Sequence, residues 1–440
     1  MLLKFAVANH RSIFREVELS LIAVDEDRDA ARSFELLNEK VLTVAGLYGP
    51  NASGKSNVIS AISWLSSAVK SSLRLWENVI PREPFAFEDG MTSQSTFDLD
   101  SVVDGVRYSY QLEIGTEGVE YEALSYYPEK RRRNIFEREQ NSIKFARGIK
   151  GAAGTRELLT PSTLALSAAR RFNDSFIVAF ADDVASYTFL GQSLRRRRRG
   201  FGGPGAFVVP SARTERWFEE ADQEQLEMFV EDDVLTTNRA RALALLKMAD
   251  LGISDVEFEE PEESTLSKDN TASGLRPRDQ VRMVHRTDRE NASFAFFEES
   301  AGTQTWFNLI GPTLTALGRG SVLFFDEIDA SLHPTLTAQL IALFQDPTTN
   351  RMGAQLIFTT HDTTLLNHLN RDEVWLTEKQ SNGMTTLRAL SDFAGDRVRR
   401  SHNLERGYLQ GRFGALPDID KYQVLVAMGF AGGDRLGADA

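Results

Sequence analysis

The octapeptide GPNASGKS (Gly49–Ser56) constrains this chain more than any other stretch. It fits G-x-x-x-x-G-K-[ST] without a mismatch. Its flanks agree: KVLTVAGLYG before it reads as a buried strand, and SNVISAISWLSSAVKSSLRLW after it as a long helix, with Val58, Ile62, Leu65 and Val69 at helical spacing. Small residues there let backbone N–H groups curl around a phosphate at a helix N-terminus. The expected cradle runs through Gly49, Pro50, Asn51, Ala52, Ser53, Gly54, Lys55, Ser56 and Asn57. Lys55 would reach the β- and γ-phosphates of ATP, and the Ser56 hydroxyl would ligate Mg²⁺.

Three later stretches carry chemistry that such a loop needs. SVLFFDE (Ser321–Glu327) is an apolar strand ending in two acids. Read alone it is a solvated strand-to-helix turn. Beside a phosphate loop, Asp326 would hold Mg²⁺ through water, and Glu327 would orient or deprotonate the attacking water. AQLIFTTHD places His361 past the next buried strand, where it could hydrogen-bond the γ-phosphate and report its presence. FFEESAGTQTWFNLIG (Phe296–Gly311) opens a helix, expected from Thr303 through Leu317, with a serine and free N–H groups that suit an anion. About 270 residues separate the loop from the two acids, so something substantial is inserted between them.

Composition removes other classes. With no cysteines there is no disulfide framework, iron–sulfur cluster or thiolate zinc site, and six scattered histidines argue against a His-based metal site. No apolar run reaches the length of a membrane span, and MLLKFAVANHRSIF lacks the apolar core and cleavage site of an export signal, so the expectation is a cytoplasmic protein with no membrane contact. The net charge of −13 does not advertise nucleic-acid binding, but three basic runs are local: Lys130–Arg133, Arg195–Arg199 and Arg397–Arg400. A solvated face is the plain reading of each.

Along the chain, LLKFAVANHRSIF alternates like an edge strand followed by a turn. STFDLDSVV, Asp104–Gly105 and VRYSYQLEI form a strong hairpin signal, continued by GVEYEALSYYP and RNIFERE. Residues from about 160 to 250 look mostly helical, while Arg195–Gly205 and Glu259–Gln280 read as loops. EVWLTEKQSNGMTTLRALSDF reads as two strands around Asn382–Gly383. No heptad pattern is sustained, so the insertion is expected to be a compact cap, not a coiled-coil arm. The division expected is 1–160 and 281–440 for the ATPase lobes and 161–280 for a mainly helical insertion.

The order GPNASGKS, long insertion, ESAGTQ, FFDEIDASLHP, TTHD resembles the ABC-type ATPases, especially their SMC and recombination-repair branch. Within that class the chain looks similar to stand-alone prokaryotic AAA-family ATPases of restriction-linked and anti-phage defence operons, the RloA/AbiL kind. NHRSIF, PFAFED, the hairpin and ERGYLQGRFGALP extend the resemblance over nearly the whole chain. It implies an α/β fold: a P-loop ABC-type ATPase head with a mixed β lobe and an inserted, mainly helical cap. It also implies that Ser300 and Gly302 contact ATP held by the phosphate loop of a second copy. Ala301 replaces the first signature glycine, and His333 stands where transporters and SMC proteins have an aspartate. No clear Q-loop glutamine exists; Gln94, Gln192 and the Ala165–Asn173 region are the candidates.

The function so implied is an ATP- and Mg²⁺-dependent ATPase that forms a head-to-tail dimer or larger homo-oligomer. It would control an effector encoded nearby, for example a TOPRIM-like nuclease. The alternative is an SMC-like DNA-binding repair or tethering ATPase that uses Arg195–Arg199 on nucleic acid. A transporter subunit fits less well, because Ile328–Asp329 stands where Pro-Thr is expected. A degenerate scaffold would not keep Lys55, Asp326, Glu327 and His361 together.

Overall fold

The computed structural model describes residues 1–25, 28, 30–33, 39–191, 210–219, 238–250, 252–258, 281–287, 289–330, 332–393, 404–414, 425, 426 and 428. Gln192, the arginine runs at 195–199 and 397–400, and the loops expected at 195–205 and 259–280 lie outside the described residues.

Two large sheets organise the chain. The first is antiparallel and built from β1 (Leu2–Ala8), β2 (Val17–Ser20), β6 (Ser95–Val103), β7 (Val106–Ile114), β8 (Val119–Tyr127), β9 (Arg133–Glu139) and β10 (Ser142–Phe145). Their order is β10-β9-β8-β7-β6-β1-β2. The β6–β7 hairpin turns on Asp104 and Gly105, both at positive φ, as its sequence predicts. One expectation fails here. β1 is not an edge strand but lies between β2 and β6. Alternation shows that a strand has two unlike faces; it does not show whether its two edges are paired.

The second sheet holds β5 (Val44–Tyr48), β11 (Thr188–Gly191), β15 (Val322–Asp326), β16 (Gln355–Thr359), β17 (Val374–Lys379) and β18 (Thr385–Ala389). Its order is β11-β15-β16-β5-β17-β18, parallel except for the last pair. The strand before the phosphate loop and the strand ending in the two acids are thus separated by the strand that leads to His361. Two small sheets complete the β structure: β3 (Ala31–Ser33) with β4 (Lys40–Leu42), and β12 (Ile253–Phe258), β13 (Val281–Arg286) and β14 (Asn291–Ala295).

Strand alternation divides the interior into two cores, one on each face of the second sheet. Ala45, Leu47, Val322, Phe324 and Ile357 join the core shared with α1 (Lys55–Leu75), α3 (Ala165–Ala169), α4 (Ser175–Ser186) and the antiparallel sheet. Val44, Tyr48, Leu323, Phe325, Leu356 and Phe358 join the other. That second core takes in α5 (Pro210–Glu219), α6 (Asn238–Ala249), α7 (Ala301–Arg319) and α8 (Pro334–Gln345). Of two short helices, α9 (Leu404–Leu409) joins the second core through Tyr408, and α2 (Ala152–Leu158) contributes to neither. Segment 161–280 therefore contributes to both faces: α3 and α4 line one, α5 and α6 the other, and β11 extends the parallel sheet beside β15.

Two buried polar groups fix how the layers meet. The Gln355 amide accepts from Leu2 N–H at 2.6 Å and donates to Leu2 and Leu42 carbonyls, each at 2.9 Å, tying β16 to the antiparallel sheet and β4. Glu122 on β8 accepts from the Ala165 and Leu166 N–H groups at 2.6 and 2.8 Å, and Arg138 lies 3.6 Å from it, both fully buried. Burial pushes the Glu122 carboxyl up despite these partners. Removing one member of such a pair costs about 3–5 kcal/mol, because the other charge is left buried alone.

Candidate functional site

The loop 49–54 joins β5 to α1. Gly49 (φ 149°) and Gly54 (φ 110°) hold conformations that other residues rarely adopt. A Cβ on Gly49 would meet the Thr377 carbonyl at 2.4 Å, and one on Gly54 would meet Thr385 Oγ1 at 2.1 Å. The glycines therefore let the loop press against the β17–β18 hairpin. That hairpin braces it: Ser53 Oγ and Thr377 Oγ1 are 2.6 Å apart, and Thr385 Oγ1 donates to the Ser53 carbonyl at 2.8 Å. The turn after β1 adds a third wall. Ser12 Oγ lies 2.7 Å from Thr385 Oγ1 and accepts from Asn57 Nδ2 at 2.6 Å, so the Asn57 side chain is turned to that wall.

The start of α1 differs from those of α4, α7 and α8. Asp174 caps α4, Ser300 caps α7 and His333 caps α8, each by a side-chain acceptor. No side chain caps α1, and its first turn holds no acid. Its leading N–H groups thus keep their affinity for an anion. Together with the two glycines, this fits a polyphosphate lying on the loop backbone. Lys55 donates to the Gly49 and Pro50 carbonyls at 2.8 and 3.0 Å. Burial lowers its ammonium to about 8, against the upward pull of Asp326, Asp329 and Glu327.

Beside the loop, the two strand tips share one hydrogen-bond network. Asp326 Oδ1 accepts from Ser56 Oγ and from Thr359 Oγ1, both at 2.8 Å. Thr359 Oγ1 in turn accepts from the Glu327 N–H at 2.7 Å. Glu327 sits at φ 59°, an unfavourable conformation for a residue with a side chain, held by that bond and by Ile328 N–H on the Thr359 carbonyl at 3.0 Å. The His361 N–H donates to both Asp329 carboxylate oxygens at 3.2 and 3.3 Å. Burial, and next the Lys55 charge, lower the His361 imidazole, which is therefore neutral near pH 7. A hard oxygen pair of hydroxyl and carboxylate, Ser56 and Asp326, is a donor set that suits Mg²⁺.

Ser300 and Gly302 lie elsewhere. Ser300 is exposed; its Oγ accepts from Thr303 N–H at 3.1 Å and lies 2.9 Å from Thr303 Oγ1. Its helix, α7, packs into the core on the sheet face opposite α1. Gln94 hydrogen-bonds Glu120 on β8, and α3 is taken up by Glu122, so neither Q-loop candidate within the described residues bonds to the loop. The exposed His333 is a helix cap, its Nδ1 accepting from Thr335 N–H at 3.3 Å.

Sequence reasoning missed Thr359, Thr377, Thr385 and Ser12. A signal existed for Thr359 alone, since it directly precedes Thr360–His361 at a strand tip. The other three look like ordinary strand and turn residues until the chain is folded.

A parallel α/β sheet with a glycine loop feeding an uncapped helix, and with acids at the tip of the next strand but one, defines a P-loop nucleotide-binding protein. Residues 44–367 match a family model described as "AAA domain, putative AbiEii toxin, Type IV TA system", and the chain belongs to this family of AAA ATPases. No curated protein matches the sequence significantly. Among solved structures, one titled "Crystal structure of the SmcHead bound to the C-winged helix domain of ScpA" is similar at 12% identity and a TM-score of 0.44, covering 88% of this chain and 97% of that one. Among the described residues, no helix is long and apolar enough to cross a membrane.

Proposed function

We propose that this protein binds and hydrolyses ATP, that two copies close around two nucleotides, and that this closure controls a partner effector in an anti-phage defence complex. The observation that carries the ATPase reading is the shared network Ser56–Asp326–Thr359–Glu327 beside an uncapped α1. In this reading the loop N–H groups and Lys55 bind the phosphates. Ser56 and Asp326 would hold Mg²⁺, which when bound neutralises charge building on the transferred phosphoryl group. Glu327, fixed by Thr359, takes the proton of the attacking water. His361, facing the same charges, donates one ring N–H to the γ-phosphate.

What supports pairing is Ser300, exposed at the start of a helix that packs on the other face of the sheet. A second copy could offer that helix start to the first copy's nucleotide. The division into 1–160, 161–280 and 281–440 is part of the proposal, the middle segment carrying the cap and a contact for the effector. The family's description, which names a putative toxin, is compatible with a defence role. The test is Glu327→Gln with saturating ATP and Mg²⁺, its mass read by light scattering. A dimer supports the reading, and a persistent monomer sinks it. Should the chain instead act on DNA, DNA would stimulate hydrolysis and neutralising Arg195–Arg199 would abolish the stimulation.

A further inference from the structure

Six histidines scattered along the sequence give no hint of a metal site, yet the fold gathers one of them with two acids, none of the three being a member of the Ser56–Asp326–Thr359–Glu327 network. Asp250 follows α6, His285 lies on β13, and Glu299 is the residue before Ser300. One ligand atom from each lies within 4.8 Å of the others, and all three residues are partly buried. We propose that Asp250, His285 and Glu299 bind a divalent transition-metal ion of the zinc class, and that this ion fastens the Ser300 segment to the inserted helices.

The donor set decides the class of ion. One imidazole and two carboxylates suit Zn²⁺, Co²⁺ or Mn²⁺, whereas Mg²⁺ and Ca²⁺ favour oxygen alone. Ligands about 2.0–2.2 Å from a tetrahedral zinc ion stand about 3.3–3.5 Å apart. The present spacings bracket that value: His285 Nε2 to Glu299 Oε1 is 2.7 Å, and no pair exceeds 4.8 Å. Side-chain rearrangements on the order of an ångström would therefore seat the ion.

The groups behind the ligands are already oriented, as metal ligands require. Asp250 Oδ1 accepts from Gly252 N–H at 2.8 Å. The Gly252 carbonyl accepts from Arg286 N–H at 2.9 Å, which pins that turn beside His285. The His285 ring sits edge-on to Phe294 with centroids 5.2 Å apart. The Glu299 carbonyl accepts from Gln304 Nε2 at 2.8 Å, so the main chain entering Ser300 is held from the other side. His285 Nε2 lies on Glu299 Oε1, and Asp250 brings a second carboxylate to the same place, so one cation there would meet three donors from three segments.

The experiment is Co²⁺ titration of the full chain without nucleotide, followed by visible absorption. Expected is one equivalent per chain with the intense bands of a four- or five-coordinate ion, displaced by one equivalent of Zn²⁺ and not by a hundredfold excess of Mg²⁺. His285→Asn and Asp250→Asn should each weaken binding at least tenfold, while Ser56→Ala leaves it unchanged. A wild-type spectrum like that of hydrated Co²⁺, or binding equally strong in both variants, overturns the proposal. Labelling of the wild-type chain with diethyl pyrocarbonate needs no variant. One equivalent of Zn²⁺ should protect His285 and leave the exposed His368 reactive; equal labelling of His285 with and without Zn²⁺ also overturns it. Neither readout depends on ATP hydrolysis or pairing, so it stands or falls apart from the proposed function.

Discussion

The phosphate loop and the Ser300 segment are built on opposite principles. The loop is enclosed by its own chain: the Ser12 turn, the β17–β18 hairpin and the tips of β15 and β16 all hydrogen-bond to it or to its neighbours. Ser300 is exposed, its hydroxyl meets only Thr303 among the described residues, and the helix it starts packs into the core on the far face of the sheet. The walls that brace the loop come from one chain, while its tip, Asn51 and Ala52, stays exposed. In the proposed reading, the exposed Ser300 on its firmly packed helix is what a second copy would bring to that tip.

The largest effect should come from the enclosed region. Lys55→Ala or Glu327→Gln should lower ATP hydrolysis by about 10²–10⁴-fold, read by phosphate release, with Glu327→Gln still binding ATP. Rates within a few-fold of wild type would remove the loop network from catalysis.

Mixing then tests whether the two regions belong to different chains. Lys55→Ala and Ser300→Arg should each be inactive alone. Mixed equally, they should recover roughly a quarter of wild-type activity, because half of random dimers are mixed and each contains one intact composite site of two. No recovery would return Ser300 to a structural role.

A smaller effect follows from the Lys55 ammonium, which burial holds near 8 instead of its usual 10.5. Bound phosphate favours the charged form, so ATP affinity is full below that value and weakens as pH rises through it. The decline is up to about tenfold per unit, seen by calorimetry from pH ~7 to ~9.5. A flat profile would mean the lysine does not meet the phosphates.

The smallest effect separates two uses of one hydroxyl. Ser300→Ala removes a helix cap and should cost about 1 kcal/mol in thermal or denaturant unfolding. Ser300→Asp keeps a capping oxygen and should restore that stability, but its charge would face the partner's phosphates and leave hydrolysis low. If Ser300→Asp recovers both, capping is all that Ser300 does.

What could be read in advance was local. The phosphate loop, the Asp104–Gly105 hairpin and the two acids of SVLFFDE are short patterns whose chemistry depends on spacing along the chain, and the matching strands and helix are present. The failures are non-local. The pairing of β1 on both edges depends on β6, about 95 residues away. Thr377 and Thr385 carry no mark that distinguishes a brace from an ordinary strand threonine, since their partner is a loop more than 320 residues earlier. Ser300 could be seen as the start of a helix, but only the alternation of β5, β15 and β16 between two cores puts that helix opposite α1.

The brace from Thr385 to Ser53 also imposes an order in time. At about 5–20 residues per second, the hairpin leaves the ribosome roughly 17–66 s after the loop it supports. Throughout that interval the glycine loop exists without its walls, and a nascent chain has the motif but not the site. In the proposed reading, nucleotide binding at the braced loop therefore waits until Thr385 has been made.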